Sequence, residues 1–125
     1  MGEIRSFEDL IDWQKSHRFF IDVVQDVEAF SSRTAGRVIA NQVLRSASSI
    51  SANIAEGFGR RTGKEYTHYL IVARGSTTET LDRYLKCRDL HLIDSAVFET
   101  RRASLEEILK MLNRMVSQQL AKTKS

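Results

Sequence analysis

The sequence predicts an all-α protein, an antiparallel up-down-up-down four-helix bundle in a single domain. Three observations carry that reading. The 125 residues contain no Pro and only six Gly, so long helices meet few breakers. Apolar residues recur at spacings of three and four through four long segments, the mark of helices with one buried face. The connections between those segments are short, which makes consecutive helices antiparallel neighbours. The predicted helices cover residues 7–29, 35–56, 63–91 and 95–120. At 1.5 Å per residue each is about 30–42 Å long.

Helix 1 begins where Ser6 and Asp9 form a capping-box pattern. Its expected buried stripe is Leu10, Trp13, His17, Phe20, Val24 and Val27, with His17 as a hydrogen-bonded core histidine. Phe30-Ser-Ser-Arg-Thr34 interrupts the pattern, because Ser and Thr favour caps and turns over helix interiors. Thr34 is the expected N-cap of helix 2. Gly57-Phe-Gly59-Arg-Arg-Thr62-Gly63 is the clearest loop. Gly57 is expected to end helix 2 as a left-handed cap, and Thr62 with Glu65 caps helix 3. The inward stripe of helix 3 is Tyr66, Leu70, Ala73, Thr77, Leu81 and Tyr84. Asp94 or Ser95 caps helix 4, which buries Phe98, Leu105, Ile108, Leu112, Met115 and Gln119, widened by Leu109 and Val116. Lys122 to Ser125 read as a frayed polar tail.

Helix 2 is unusual around its whole perimeter. Gln42, Arg45, Ser49, Asn53 and Glu56 share one face, Ile39, Val43, Ile50 and Ile54 a second. Ala40, Leu44, Ala47, Ser51 and Ala55 form a third, mostly small face that allows close helix approach. So little solvated perimeter predicts burial on several sides, by the bundle or by another subunit. If helices 2 and 3 face each other where residue numbers sum to about 120, Arg45 lies near Glu79, Asn53 near Thr67 or His68, and Glu56 near Lys64. These polar residues are therefore expected to serve structure first.

Composition narrows the functional classes. The single Cys87 excludes an internal disulfide framework and fits a reducing cytoplasm, the expected location. No apolar run approaches the ~20 residues of a membrane span, so no membrane partner is expected. Net charge is +3, unevenly spread: residues 1–33 hold seven acidic and four basic side chains, residues 34–125 nine and fifteen. Either the halves attract each other between subunits, a basic surface is left for an anionic partner, or the signs intersperse on the folded surface.

No catalytic, cofactor or metal site is predicted. A di-iron bundle needs Glu-x-x-His on two helices, and Glu65-Tyr-Thr-His68 is the one such motif in the sequence. The Gly57–Lys64 loop lacks the spacing and the Ser or Thr of a phosphate-binding P-loop, and no strand precedes it. Cys87 is expected to be a buried structural residue. Arg60, Arg61 and Lys64 are the candidate nucleic-acid contacts. They flank the start of helix 3, where free N–H groups and the helix dipole favour anions.

The run Gln42-Val-Leu-Arg45-Ser-Ala47-Ser-Ser-Ile50-Ser-Ala-Asn53-Ile54-Ala55-Glu56-Gly57 resembles the signature of a bacterial four-helix-bundle family, the 23S rRNA intervening-sequence proteins. The resemblance extends to Phe7-Glu-Asp-Leu10, Trp13-Gln14, Ala73-Arg-Gly75-Ser76 and Glu79. It departs at Ser46, where a second Arg is usual, and in the first interhelix loop, which lacks the usual Pro. It implies a non-catalytic homopentamer without cofactor or small-molecule substrate, in which Gln42, Arg45, Asn53, Glu56, Gly57, Gly75, Ser76 and Glu79 form a structural or interface signature. It also implies structured RNA or other nucleic acid as the partner. The opposing expectation is a scaffold that presents surfaces to another protein.

Overall fold

The computed structural model describes residues 3–60 and 62–124. Four α-helices occupy them: α1 (Ile11–Glu28), α2 (Thr34–Phe58), α3 (Gly63–Asp89) and α4 (Ser95–Lys124), with a 3₁₀ turn at Phe7–Asp9 before α1. Each helix packs against its neighbours in sequence, and α4 closes back onto α1. This is the antiparallel bundle that the periodicity predicts.

Local signals explain most of the ends. Thr62 Oγ1 accepts from the Glu65 N–H (3.1 Å) and starts α3. Asp94 Oδ1 accepts from the Val97 N–H (2.8 Å) and starts α4. α3 ends with His91 in the left-handed region (φ 59°). The Leu92 N–H returns to Cys87 O and the His91 N–H to Arg88 O, the two bonds of a Schellman ending made without Gly.

Four expectations fail. The Ser6–Asp9 capping box forms, but it opens the 3₁₀ turn; α1 starts after extended Leu10. Arg33, not Thr34, is the N-cap of α2. Helix α4 continues through Lys124, so the polar tail is helical as far as the described residues go. The burial of α1 is also rotated by one residue: Asp12, Ser16, Phe19 and Val23 are buried, while His17 is exposed. His17 stacks on Trp13, with ring centroids 4.7 Å apart and planes 9° from parallel. The apolar pattern misleads here because Ser16 satisfies its own hydroxyl by donating to Asp12 O (2.7 Å), which lets a polar position turn inward.

The core runs the length of the bundle. Phe19 and Val23 from α1 meet Val43, Ala47, Ile50 and Ile54 from α2, Leu70, Ala73 and Tyr84 from α3, and Phe98, Leu105, Ile108, Leu112 and Val116 from α4. Near one end of this core lies a polar knot. Tyr84 donates to Asp26 Oδ2 (2.6 Å), and Arg101 clasps the same carboxylate through Nε (2.7 Å) and Nη2 (3.0 Å). Asp22 approaches Arg101 at 3.7 Å. The side chains of Asp26 and Arg101 are 9% and 15% exposed, so the pair is largely desolvated and joins α1, α3 and α4. Burial first, then the bond to Asp26, pushes the Tyr84 phenol far up. Burial likewise raises the Cys87 thiol to about 12, which keeps it a neutral core residue at physiological pH.

Two predictions follow from buried acids. Truncating one partner of a buried ion pair strands the other, so Asp26→Ala lowers unfolding free energy by about 3–5 kcal/mol in urea titrations. A loss below about 1 kcal/mol would place the pair among surface bridges instead. Asp12 is the opposite case: it is 2% exposed, its Oδ2 has no hydrogen-bond partner among the described residues, and burial raises it above the ordinary 3.8. Its favourable contribution is full below pH 3.8 and is lost as pH rises through the raised value, so ionised Asp12 is a cost at neutral pH. Asp12→Asn is expected to stabilise the protein by about 1 kcal/mol at pH 7 and to give no gain at pH 3. Equal effects at both pH values would show that the charge is not the cause.

A candidate interaction surface on helices 2 and 3

Helices α2 and α3 share the most extensive contact of any pair, and small residues contribute to it. An added Cβ on Gly57 would stand 2.8 Å from Tyr69 Cβ and 3.0 Å from Tyr66 Cδ1. Gly57 is therefore a contact residue inside α2, where the sequence suggested a left-handed cap. The chain leaves α2 at Gly59, in ordinary right-handed geometry (φ −75°). Farther along, the hydroxyls of Ser49 and Ser76 lie 2.9 Å apart, as do those of Ser46 and Thr80. These pairs set α3 about five residues later against α2 than the expected facing sum implies.

That register changes the partners of the signature residues. Gln42, Arg45, Ser46, Ser49, Ser76, Glu79 and Arg83 line one open groove of about 400 Å³. Arg45 and Glu79 share this groove without pairing: Glu79 reaches Arg83 at 3.7 Å, and Arg45 has no ion-pair partner among the described residues. Arg83 also donates to Asp82 (2.8 Å), and its buried Nε has no acceptor. Lys86 and then Arg83 hold the Asp82 carboxyl below its ordinary 3.8. Asn53 turns back on its own helix, donating to Ser49 O (2.7 Å) and Oγ (2.9 Å), instead of reaching Thr67 or His68. Glu56 pairs with Arg60 in place of Lys64.

The loop cluster is divided in the same way. Arg60 donates to Glu56 and to the Tyr69 hydroxyl (2.7 Å) and lies over the Tyr69 ring, 4.9 Å from its centroid. It is folded against the bundle end. Lys64 instead borders a second groove with Thr67, His68, Ile71 and Leu120. Arg61 lies outside the described residues. Gly75 contrasts with Gly57: it is exposed, and an added Cβ there would have no neighbour within 4 Å among the described residues.

Sequence reading missed Asp26, Arg101, Ser46, Thr80 and Arg83. Asp22 and Asp26, spaced i,i+4, were the available signal for a cation docking from another helix. Chemically the α2–α3 surface offers hydroxyls, an amide and two guanidinium groups, with no group of three His, Cys, Asp or Glu among the described residues to hold a metal. No helix of the described residues is long and apolar enough to cross a membrane.

The family model for the 23S rRNA-intervening sequence protein matches residues 8–114. The chain belongs to this family. A crystal structure of a protein with unknown function from the S23 ribosomal protein family, from Bacteroides thetaiotaomicron VPI-5482, superposes with a TM-score of 0.79 and 24% identity, covering 85% of this chain and 98% of that one. The likeness shows the four-helix fold. No curated protein matches the chain. The family description names no reaction.

The two glycines can be told apart by substitution. Gly57→Ala is expected to lose about 1–3 kcal/mol, the usual cost of overpacking a close contact, because Tyr66 and Tyr69 must give way. An unchanged thermal midpoint would show that α2 and α3 can separate freely at this end.

Proposed function

We propose that the protein is a non-catalytic homo-oligomer, a closed pentamer, that binds structured RNA or other nucleic acid through its basic surface. The observation that carries the assembly is Gly75. A mid-helix Gly costs about 1 kcal/mol relative to Ala, and among the described residues nothing comes within 4 Å of a Cβ added on its open side. Val72, 37% exposed, lies three residues away on α3, and the polar groove holding Ser76 and unpaired Arg45 lies alongside. A second copy packing closely on this face would use the missing side chain, the open groove and the free guanidinium together. In a closed ring such a contact joins unlike patches of adjacent copies.

Surface charge supports the nucleic-acid half of the reading. Asp12, Asp22 and Asp26 of the acidic first third are buried or half-buried, and the last two meet Arg101. Subunit attraction by α1 acids therefore loses ground to a basic exterior. Arg60, Arg61 and Lys64 remain the loop contribution, reduced by the engagement of Arg60 with Glu56 and Tyr69. A ring would repeat each basic patch and multiply weak phosphate contacts. The second reading, a protein-interaction scaffold, is favoured by Ile11 and Ile21, 61% and 45% exposed on α1.

Sedimentation of the native chain and of Gly75→Leu tests the assembly. The native chain is expected at a multiple of 14.3 kDa. The variant should fall apart into folded monomers with unchanged helical content. A native chain that sediments only as a monomer at micromolar concentration overturns the proposal.

A further inference from the structure

The side of α3 that faces α4 carries a different surface. Lys64, Thr67, Ile71 and Arg74 follow one another at spacings of three and four, which aligns them along a single edge. Leu120, Ser117, Asn113 and Lys110 form the opposing row on α4 by the same spacing, and Arg74 Nη1 donates to Asn113 Oδ1 (3.2 Å) across the seam. Between Lys64, Thr67, His68, Ile71 and Leu120 the seam opens into a groove of about 410 Å³. Ile71 and Leu120 are 41% and 46% exposed there.

The charge along this seam is mainly positive, since Glu106 and Glu107, one turn before Lys110, are turned to Arg102 and Lys15. Lys64, Arg74 and Lys110 take part in none of the ion pairs among the described residues. After Glu107 the chain contains Lys110, Arg114, Lys122 and Lys124 and no acid. From Gly63 to Thr78 the one acid is Glu65, and its carboxylate accepts from the Thr62 hydroxyl (3.0 Å). Cations with neutral hydrogen-bonding groups between them suit a phosphate backbone. The groove spans Lys64 to Ile71, about two turns of helix, too short to seat a partner helix but sufficient for one planar ring. Unstacked bases rest on aromatic planes, imidazole among them, and His68 supplies one here with Ile71 and Leu120 as apolar neighbours.

We infer that the α3–α4 seam is an RNA-binding surface, with phosphates following Arg74 and Lys110 while one unpaired base lies against Ile71 and Leu120 beside Lys64. This rests on the nucleic-acid reading given above and moves its centre from the Arg60–Lys64 loop to the face between α3 and α4. The ligand class is a structured RNA with a bulged or splayed nucleotide, bound without extended base readout.

Fluorescence anisotropy of the full chain tests it, using two RNA hairpins of equal length, one fully paired and one with a single bulged adenosine, at about 50 and 200 mM salt. The bulged hairpin is expected to bind about tenfold more tightly, within the range of one stacked base. Ile71→Ser should erase that preference. Arg74→Ser with Lys110→Ser should make the log–log salt slope shallower by about 1.5, and Arg60→Ser should change little. Circular dichroism of each variant verifies that these exposed positions leave the fold intact. If the parent shows no preference for the bulge, or the seam variants bind as the parent does, the seam is not the site, although the nucleic-acid reading survives. If the parent binds neither hairpin at about 50 mM salt, the nucleic-acid reading falls and this inference with it.

Discussion

The carboxylate of Asp26 is the point on which three of the four helices depend. Tyr84 from α3 and Arg101 from α4 both donate to it, so its position fixes how α1 sits across the bundle. The interaction is not strong merely because it is ionic. Desolvating both charges is expensive, and the pair holds because nearly every donor and acceptor is used. Its effect is specificity of arrangement: a bundle of apolar stripes alone permits helices to rotate or slide, whereas a bidentate Arg–carboxylate contact with a phenol on the same oxygen tolerates little of either. Phe19 packs edge-on against the Tyr84 ring, centroids 6.0 Å apart, and so the apolar core inherits the orientation set by the polar knot.

The opposite end of α1 has no such anchor. Asp12 is buried with an oxygen that has no partner among the described residues, and the Tyr66 phenol is raised to about 12 by burial first and by Asp12 second. α1 begins from Leu10 without a side-chain cap, held to the preceding turn by Gln14, which donates to Glu8 O (2.8 Å). The bundle is thus tightly specified near Asp26 and less well satisfied near Asp12. Local stability is expected to follow the same gradient, because exposed turns and unsatisfied groups open at lower free energy than a packed core.

The architecture was legible because long helices without Pro leave an unbroken period, and in α2, α3 and α4 the period points to the true core. Ile39, Val43, Ile50 and Ile54 are all buried as their spacing requires, and the helix starts at Thr62 and Asp94 are set by side-chain oxygens written in the sequence. The period failed in α1, where hydrophobicity nominated His17 and the chain buried Asp12 and Ser16 instead. It also said nothing of interhelical register. Ser49 against Ser76 and Ser46 against Thr80 follow from how closely α2 can approach α3, and that depends on Gly57 meeting two tyrosines. A facing rule built on loop length alone placed Arg45 near Glu79, and the glycine-rich stretch made Gly57 a left-handed cap; a contact made by the absence of a side chain left no periodic trace. The groove residues were legible as a set, and their partners were not.

Gly57 and Gly75 make the same point about where function can be read. Both occupy helices, where Gly is unfavourable by about 1 kcal/mol relative to Ala, and one has an explanation inside the subunit while the other has none. The same division runs through the cations. Arg101 is consumed by Asp26, Arg60 by Glu56 and Tyr69, and Arg83 by Asp82 and Glu79, so each is accounted for by the chain's own acids and rings. Arg45, Lys64, Arg74 and Lys110 are not consumed in this way. They fall on two surfaces of different character: Arg45 in a hydroxyl-lined groove beside Gly75, the others along a seam whose nearby acids are engaged, Glu65 by a cap, Glu106 by Arg102 and Glu107 by Lys15. A polar groove beside a bare backbone position suits a copy of the same chain, since close packing needs matching shape. An acid-poor seam suits a polyanion, since phosphate contacts need charge more than shape. On the proposed function, the two faces assign assembly and nucleic-acid binding to different residues, so substitutions on each face are expected to give separable defects.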